Sequence, residues 1–545
     1  EDDTIEKEQI EDYEINKKMQ CLFENTLKTK KIQYKKSLYS KSLPIYKIEM
    51  EPETILDSLK GDKVYEILFS IESMPKYYVS IDSASDQNKI TIMEPIDVQH
   101  YETLGILDNG IMPIPHLKPW LAAERWTVYP ETLIDPTHGT FVAGVALYGD
   151  FLEGKDWVGH NGIKLLDATI FPKETEGLEE DELIENIREA IEANHEKVKV
   201  WNLSISVTRQ VSDNKFSDFA IALDEFQEKY NVLICKSAGN CLNFMSGEPK
   251  ERINEGADSV RSLVVGSMAH EKRLYDFAEI DNPSPFSRCG PGPEYIIKPE
   301  ISHYGGNAGV DKNGNLVWTG VKSFSKDGNI SSDVGTSFST PRIAALATGL
   351  YQEINEDFNP LLLKSLIIHS ASYSENLKII RNERTRELGF GIPSNISNIL
   401  YNKPYEATII LRDNLKKGER IDIMDFPMPK SLIKDGYYTG QIIATLVYNP
   451  ILDSSQGIEY CQSNIDLKLG TYSNKKKRDT TKRNILNPVG REGTQNLFLN
   501  TLYSKKLTKK NEGEFALRER LLIKYADKYY PVKKYAVDLS ELSDA

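Results

Sequence analysis

Apolar strand-like runs alternate with amphipathic helical patterns in the middle of the chain, from about residue 98 to residue 403. Four short apolar runs are each typical of a buried strand: 101–107, 198–205, 232–235 and 262–267. One helical pattern between them has an apolar face made of Leu183, Ile184, Ile187, Ala190 and Ile191. Strands that alternate with helices of this length predict a parallel sheet covered by helices on both faces, an α/β fold.

The chain before this region has a different pattern. Residues 1 to about 40 are rich in charge and have helical periodicity. The stretch that follows predicts short strands around one helix, in the segments 46–50, 52–60, 64–70, 77–81 and 89–93. We therefore predict a small α+β region over residues 1–97.

A third pattern begins after Pro404, where strand-like runs are separated by long polar loops. The runs lie at 407–412, 440–448, 465–469 and 521–525, and the second and third of them alternate with period two. This pattern predicts an antiparallel β-sandwich over residues 404–545. We interpret the Lys-rich runs at 475–478 and 505–510 as solvated loops, with a basic docking patch as the alternative.

Composition narrows the class of protein. A chain of 545 residues with 40% apolar content can bury more than one core, and we expect three domains. The net charge of −14 argues against a general nucleic-acid binder, which needs clustered Lys and Arg. The 5 cysteines are scattered without a CxxC pair, so neither a disulfide framework nor a zinc site is predicted, and a reduced cytoplasm fits best.

The sequence predicts no membrane segment. No run of about 18 apolar residues exists, and the first residues have no basic stretch followed by an apolar one, as a signal peptide would have. The chain does not begin with Met, so the loss of an upstream segment, a signal peptide included, stays open.

Ser337 has the setting of an activated serine. It lies in the sequence GTSFSTP at 335–341, ahead of a good helix that has Pro341 in its first turn, where no backbone N–H is required. A hydroxyl at a helix N-terminus is close to free N–H groups and the positive end of the helix dipole, which stabilise a developing oxyanion. The alternative for Ser337 is an ordinary helix cap.

His138 and Asp108 supply the groups that such a serine needs. A serine hydroxyl requires a base near neutral pH, and His138 lies in the distinctive sequence DPTHGTFVAG at 135–144. Asp108 follows the apolar run LGIL at 104–107, at the strand end where α/β sheets present functional groups. Taken alone, an Asp before Asn-Gly is a turn former.

The three motifs follow one another in the order Asp, His, Ser, and the chain resembles the subtilases, the subtilisin-like serine peptidases. Five further segments carry the resemblance: WNLSIS at 201–206, SAGN at 237–240, FSR at 286–288, KPEI at 298–301 and GFG at 389–391. The resemblance implies a subtilisin-like parallel sheet and a serine endopeptidase that hydrolyses polypeptides through a covalent acyl-enzyme.

The resemblance also implies roles for individual residues. Ser337 is the nucleophile, His138 the base, Asp108 its orienter, and Asn240 donates its amide to the oxyanion beside the backbone N–H of Ser337. Peptide substrates are expected to pair with the segment 201–206 as an edge strand. The residues expected to bind substrate are Trp201, Asn202, Leu203, Ser204, Ser237, Ala238 and Gly239. No cofactor is required, and structural calcium stays open.

Regulation and cellular role are expectations from the same resemblance. Many subtilases carry an N-terminal prodomain that assists folding and inhibits the site, so residues 1–97 are either such a prodomain or a docking domain. The arrangement resembles bacterial subtilases that are paired with AAA ATPases, some of them used against phage. The alternatives are a catalytically silent interaction module and a degradative subtilase whose leader is missing.

Overall fold

The computed structural model describes most residues from 2 to 468 and three short segments beyond them, 470–472, 494–496 and 531–538. The gaps before residue 469 are 41–42, 51, 61–63, 65–69, 79–83, 87–89, 123, 174–177, 208, 214, 355, 380, 404–405, 422, 424–428, 431–432, 435–436 and 439. The predicted strand at 521–525, most of the one at 64–70 and both Lys-rich runs lie outside the described residues.

Helices and strands alternate through the middle of the chain. The helices are α1 Asp2–Thr29, α2 Pro52–Leu59, α3 Thr137–Glu153, α4 Glu180–Asn194, α5 Asp218–Tyr230, α6 Thr336–Glu353, α7 Pro360–Ser370, α8 Arg381–Leu388 and α9 Ile396–Leu400. The strands before α6 are β1 Lys35–Ser40, β2 Leu43–Lys47, β3 Lys76–Tyr78, β4 Ala84–Asp86, β5 Thr103–Asp108, β6 Trp126–Thr127, β7 Lys164–Thr169, β8 Leu178–Glu179, β9 Val198–Leu203, β10 Ser206–Val207, β11 Leu233–Ser237, β12 Leu263–Met268, β13 Ile301–Tyr304, β14 Asn307–Val310, β15 Leu316–Thr319, β16 Val321–Phe324 and β17 Ile330–Asp333. After α9 come β18 Ile433–Lys434, β19 Tyr437–Tyr438, β20 Gln441–Val447, β21 Gly470–Tyr472, β22 Thr494–Asn496 and β23 Val532–Asp538.

A parallel sheet of seven strands forms the centre, in the order β13-β12-β11-β9-β5-β7-β6. Helices α3 and α6 pack on one face of this sheet, and α4 and α5 pack on the other. Strands buried on both faces have no polar side to expose, which explains their near-continuous apolar runs. The predicted α/β fold with a subtilisin-like parallel sheet is confirmed.

The prediction that the segment 201–206 is an edge strand is wrong in one respect. Strand β9, which contains Trp201, lies between β5 and β11 and has no free edge. A Cβ added to Gly105 of β5 would lie 2.2 Å from the Trp201 ring, so the neighbouring strand is shaped around this indole. A free edge becomes possible only beyond β9, at β10.

The N-terminal region has its own small core and rests on α4 and α5. Phe23, Leu27, Ile55 and Leu59 form that core between α1 and α2. Strands β1 and β2 form an antiparallel pair, and Lys35 of β1 binds Asp181 of α4 at 3.0 Å. The predicted small α+β region is therefore present, and its boundary at residue 97 stays a prediction.

The predicted strand at 89–93 is wrong for its described residues, 90–93. Side chains of the central domain take the backbone groups that a strand partner would have used. Ile90 O accepts a hydrogen bond from His116, Met93 N donates to Tyr148, and Met93 O accepts from the Trp120 indole.

The described part of the C-terminal region packs against the central domain. Strands β20 and β23 form an antiparallel pair beside α7, and Lys534 of β23 donates to the carbonyl oxygens of Ile368 and His369 at 2.8 and 2.9 Å. The predicted strand at 440–448 is thereby confirmed. Those at 407–412 and 465–468 are wrong, because the structure forms no strand there. The β-sandwich and its boundary at 404 stay predictions.

Candidate active site

Asp108 and His138 meet at the carboxyl edge of the central sheet. Asp108 is the last residue of β5, and His138 is the second residue of α3. The Nδ1 atom of His138 lies 2.8 Å from Asp108 Oδ1 and 2.9 Å from Oδ2. The Asn109 N–H donates to Asp108 Oδ1 and its side-chain oxygen accepts from Gly139 N, both at 2.8 Å. The sequence predicted this pair. Asn109 links β5, which ends at Asp108, to α3, which carries His138.

The Asp108 carboxylate sets the protonation of His138. Burial disfavours the charged imidazolium, but the charge of Asp108 and its hydrogen bond outweigh burial, and Asp333 adds to them. The pKa of His138 is therefore raised from its ordinary value. Because Asp108 holds Nδ1, the other ring nitrogen, Nε2, is left to exchange a proton.

Ser337 begins α6 beside this pair. It is the second residue of the helix, and the ring of its neighbour Phe338 lies 5.7 Å from the His138 ring. The Ser337 hydroxyl donates to the carbonyl oxygen of Ser204 at 3.0 Å, and the Ser204 hydroxyl donates back to Ser337 O at 2.9 Å.

Asn240 presents a free amide donor at the start of α6. Its Oδ1 accepts hydrogen bonds from the backbone N–H and the hydroxyl of Thr336, at 3.0 and 3.1 Å. Because Thr336 N–H can only donate, the facing atom of Asn240 has to be the oxygen, and Nδ2 points the other way. The exposed Nδ2 donates to no acceptor within the described part of the chain. A donor in this position can bind an oxyanion formed next to Ser337.

The residues predicted to bind substrate fall into two groups. Trp201, Asn202 and Leu203 are fully buried in β9, where they support the site from below. Ser204 instead bonds directly to Ser337. The remaining three are also buried: Ser237 ends β11, and Ala238 and Gly239 follow it. Gly239 N donates to the Thr336 hydroxyl of α6 at 3.2 Å.

The structure reveals a groove that sequence reasoning missed. Strand β3 of the N-terminal region lies between β10 and β8 and is antiparallel to both. The register pairs Tyr77 with Val207 on one side and with Leu178 on the other. The sequence placed a strand at 77–81, but its pattern did not indicate a partner.

Lys236 is another feature that the sequence pattern did not indicate. It is a fully buried lysine in β11, and its Nζ donates to the carbonyl oxygen of Ile205 and, at 3.1 Å, to that of Ser237. Burial lowers its pKa to about 7, against an opposing effect of Asp258. A lysine directly after the apolar run LIC at 233–235 was the available signal. Its ammonium group holds the backbone just ahead of β10.

No helix among the described residues is long and apolar enough to span a membrane. The same residues contain no cluster of His, Cys, Asp or Glu that could hold a metal ion.

Comparison with known proteins gives a family match over the central region. The model described as the Subtilase family matches residues 102–391, more than half of the 545-residue chain. An uncharacterized protein, y4bN, of Sinorhizobium fredii (strain NBRC 101917 / NGR234) is 25% identical over 314 residues, which cover 48% of this chain and 70% of that protein.

Solved structures of similar fold include two proteases. The epidermin leader peptide processing serine protease of Staphylococcus aureus is 15% identical, with a TM-score of 0.40 over 56% of this chain and 76% of that one. A cold adapted subtilisin-like serine proteinase is 16% identical, with a TM-score of 0.36 over 57% of this chain and 94% of that one.

Proposed function

The chain belongs to the subtilase family, and from that premise we propose that it is a serine endopeptidase with Asp108, His138 and Ser337 as its catalytic triad. The observation that carries this proposal is the 2.8 Å contact between His138 Nδ1 and Asp108, beside the serine that begins α6. This arrangement provides a nucleophile, an oriented base and, in Asn240, a free donor for the oxyanion.

In the proposed reaction, Ser337 Oγ adds to the carbonyl carbon of the scissile peptide bond while its proton passes to His138 Nε2. Asp108 stabilises the imidazolium that forms, and the Asn240 amide with the Ser337 N–H binds the oxyanion. When the C–N bond breaks, His138 gives the proton to the leaving amine. Water then attacks the acyl-enzyme by the same steps, which releases the second product and restores the Ser337 hydroxyl.

We also propose that the N-terminal region inhibits the peptidase, rather than serving only as a docking domain. Strand β3 pairs with both β8 and β10, so a second peptide cannot enter between these two strands while β3 is in place. Ion pairs fix the segment that precedes β3: Glu72 binds Arg209 and, at 2.5 Å, Lys215. These contacts support an intramolecular strand that occupies the substrate position.

Hydrolysis of casein by the full chain tests the catalytic assignment. Tyr77→Ala removes the buried anchor of β3, and we expect this variant to cleave casein faster than the unaltered chain. Adding Ser337→Ala should abolish cleavage. The matched control is Ser339→Ala. The Ser339 hydroxyl donates to Thr336 O at 3.1 Å inside the same helix, and the variant that lacks it should retain activity. Equal cleavage with and without the Ser337 hydroxyl would disprove the assignment.

The pairing with an AAA ATPase and the role in antiphage defence stay predictions from resemblance. An unregulated peptidase is toxic in a cytoplasm, which gives an added regulator a physical reason. Co-purification of the chain with an AAA ATPase from its own host would support that prediction, and purification without one would contradict it.

A further inference from the structure

The groove occupied by β3 is a binding site that a free peptide can use. Both strands that flank β3 have only two residues, and each pairs with it in antiparallel sense. If β3 leaves, β8 and β10 are left with unpaired backbone groups on facing edges. Such a gap accepts any extended strand through main-chain hydrogen bonds, and side-chain pockets then decide which sequence binds best. The site thus has a backbone component and a side-chain component.

The side-chain component is a pocket filled by Tyr77. This side chain has no exposed surface, and its ring packs edge-on against Phe219 with centroids 5.3 Å apart. Leu178 of β8 and Ile205, which directly precedes β10, belong to the same apolar cluster. The Tyr77 hydroxyl donates to Glu180 Oε2 at 2.7 Å. The pocket therefore has aromatic and aliphatic walls and one carboxyl group at its end.

Glu180 belongs to the peptidase region and not to the segment that fills the pocket. It is the first residue of α4, where the helix dipole favours a negative charge. Burial nevertheless raises its pKa to about 7. The groups that act on it, besides Tyr77, are Asp218, Arg209 and Tyr39. A carboxyl group this deeply buried needs a hydrogen-bond donor, because an unsatisfied buried polar group is costly.

The register fixes where this pocket lies relative to the nucleophile. Ser206 pairs with Tyr78 and Val207 with Tyr77, so a peptide in the place of β3 runs toward Ser204. Continued by the same antiparallel register, the peptide residue opposite Ser204 lies three positions after the one in the pocket. Ser204 O accepts the Ser337 hydroxyl at 3.0 Å, so that peptide residue presents its carbonyl to the nucleophile.

We propose that the pocket formed by Glu180 and Phe219 selects tyrosine in peptide substrates, at the fourth residue before the cleaved bond. This inference rests on the proposed function for the cleavage position, whereas the selection of tyrosine concerns binding alone. A phenylalanine fills the same apolar walls but removes the hydrogen bond that the tyrosine hydroxyl donates to Glu180, which leaves only Tyr39 as a hydroxyl donor to it. The tyrosine hydroxyl is therefore the group that the pocket recognises.

Peptide binding to a chain with an open groove tests the selection. The receptor is the full chain with Tyr77→Ala to free the pocket and Ser337→Ala to prevent cleavage. The probe is a fluorescent peptide with the sequence of residues 72–82, and fluorescence anisotropy gives its Kd. Replacing the first of its two tyrosines by phenylalanine should weaken binding roughly tenfold, the value of a hydrogen bond to a carboxylate. Replacing the second tyrosine is the matched control.

Receptor variants assign the effect to Glu180. In the same background, Glu180→Leu should abolish the preference for tyrosine over phenylalanine. Glu182→Gln, which changes an exposed carboxylate of the same helix, should keep it. The peptide comparison on the unaltered pocket decides the question even if the Leu variant does not fold. Equal binding of the tyrosine and phenylalanine peptides would overturn the proposal.

A cleavage arm separates this inference from the proposed function. With Ser337 restored, mass spectrometry should locate the cut after the third residue that follows the selected tyrosine. Cleavage without a preference for tyrosine overturns the inference and leaves the peptidase assignment intact. Preference for tyrosine in binding, with no cleavage of any peptide, overturns the peptidase assignment and leaves the pocket intact.

Discussion

At the residue scale, the proposed reaction depends on which nitrogen of His138 is free. Asp108 takes Nδ1, and the proposed proton transfers need Nε2 in its neutral form. The Ser337 hydroxyl bonds to Ser204 in the structure, so the transfer follows a rotation of that hydroxyl. Catalytic hydrogen bonds commonly tighten only when a substrate is bound.

The raised pKa of His138 predicts an acid limit to activity. The value lies above the ordinary 6.5 because Asp108, with help from Asp333, outweighs burial. As the pH falls through this pKa, the imidazole becomes charged and kcat/KM should fall about tenfold per pH unit. The measurement is kcat/KM against pH for the Tyr77→Ala chain. Asp333→Asn should move the midpoint to lower pH, and a midpoint below 6.5 in the parent would contradict this explanation.

Loss of the Asn240 amide should lower turnover without weakening substrate binding. Asn240→Asp keeps an acceptor for the Thr336 N–H but removes the amide donor from the oxyanion. We expect kcat to fall roughly 10²–10³-fold, as is usual when one such donor is lost, with KM changed little. Steady-state kinetics measures both constants. A raised KM with unchanged kcat would assign Asn240 to substrate binding instead.

Sequence reasoning worked best for residues that belong to a local motif. Asp108 ends β5, His138 and Ser337 lie in the first turns of α3 and α6, and Asn240 follows β11 by three residues. Lys236 was missed because its partners are backbone carbonyl groups, which no sequence pattern marks.

At the element scale, close packing between a loop and a helix sets the geometry of the site. A Cβ added to Gly139 of α3 would lie 2.3 Å from the carbonyl oxygen of Gly110, in the loop that follows Asp108. Glycine at this position therefore lets the helix that carries His138 approach the strand that carries Asp108.

We predict that Gly139→Ala moves His138 away from Asp108 and lowers kcat at least tenfold, because small displacements of catalytic groups are costly. Stopped assays in the Tyr77→Ala background measure it. Gly154→Asn is the matched control at the other end of α3, since a Cβ there meets nothing within 4 Å and asparagine tolerates its φ of 62°. Unchanged kcat for Gly139→Ala would contradict the packing argument.

The elements predicted from periodicity differ in outcome for a physical reason. Helix α4 and strand β5 were found because their apolar positions face the core. The run at 407–412 is equally apolar, but it stays exposed and forms no strand. The position of β9 between two neighbours depends on sheet order, which the local pattern of one strand does not contain.

At the scale of the whole molecule, the N-terminal region carries both the proposed inhibition and the occupant of the proposed tyrosine pocket. Its sheet rests on α4 and α5 through Lys35 and Asp181, and its strand β3 fills the groove. None of these contacts follows from the sequence, because they join segments that are more than 100 residues apart. The sequence could therefore predict a prodomain only by resemblance.

Docking of β3 should weaken as the pH rises. Burial raises the pKa of Glu180 to about 7 and that of Glu255 to about 8, and Arg209 opposes the shift at both. Tyr77 covers Glu180 only while β3 is docked, so Glu180 binds its proton more tightly in that state, and docking is favoured below about pH 7 and weakens as the pH rises through it. Hydrogen exchange of the β8 and β10 amides at pH 6 and pH 9, corrected for intrinsic rates, should show less protection at the higher pH. Glu180→Gln should reduce this dependence.

The most direct test of the central claim is the reaction of the full chain with a fluorophosphonate, followed by mass spectrometry of its peptides. We predict one adduct, on Ser337. It should form faster in the Tyr77→Ala chain and be lost in the His138→Ala chain. An adduct that forms equally well without His138, or no adduct on Ser337 even in the Tyr77→Ala chain, would contradict it.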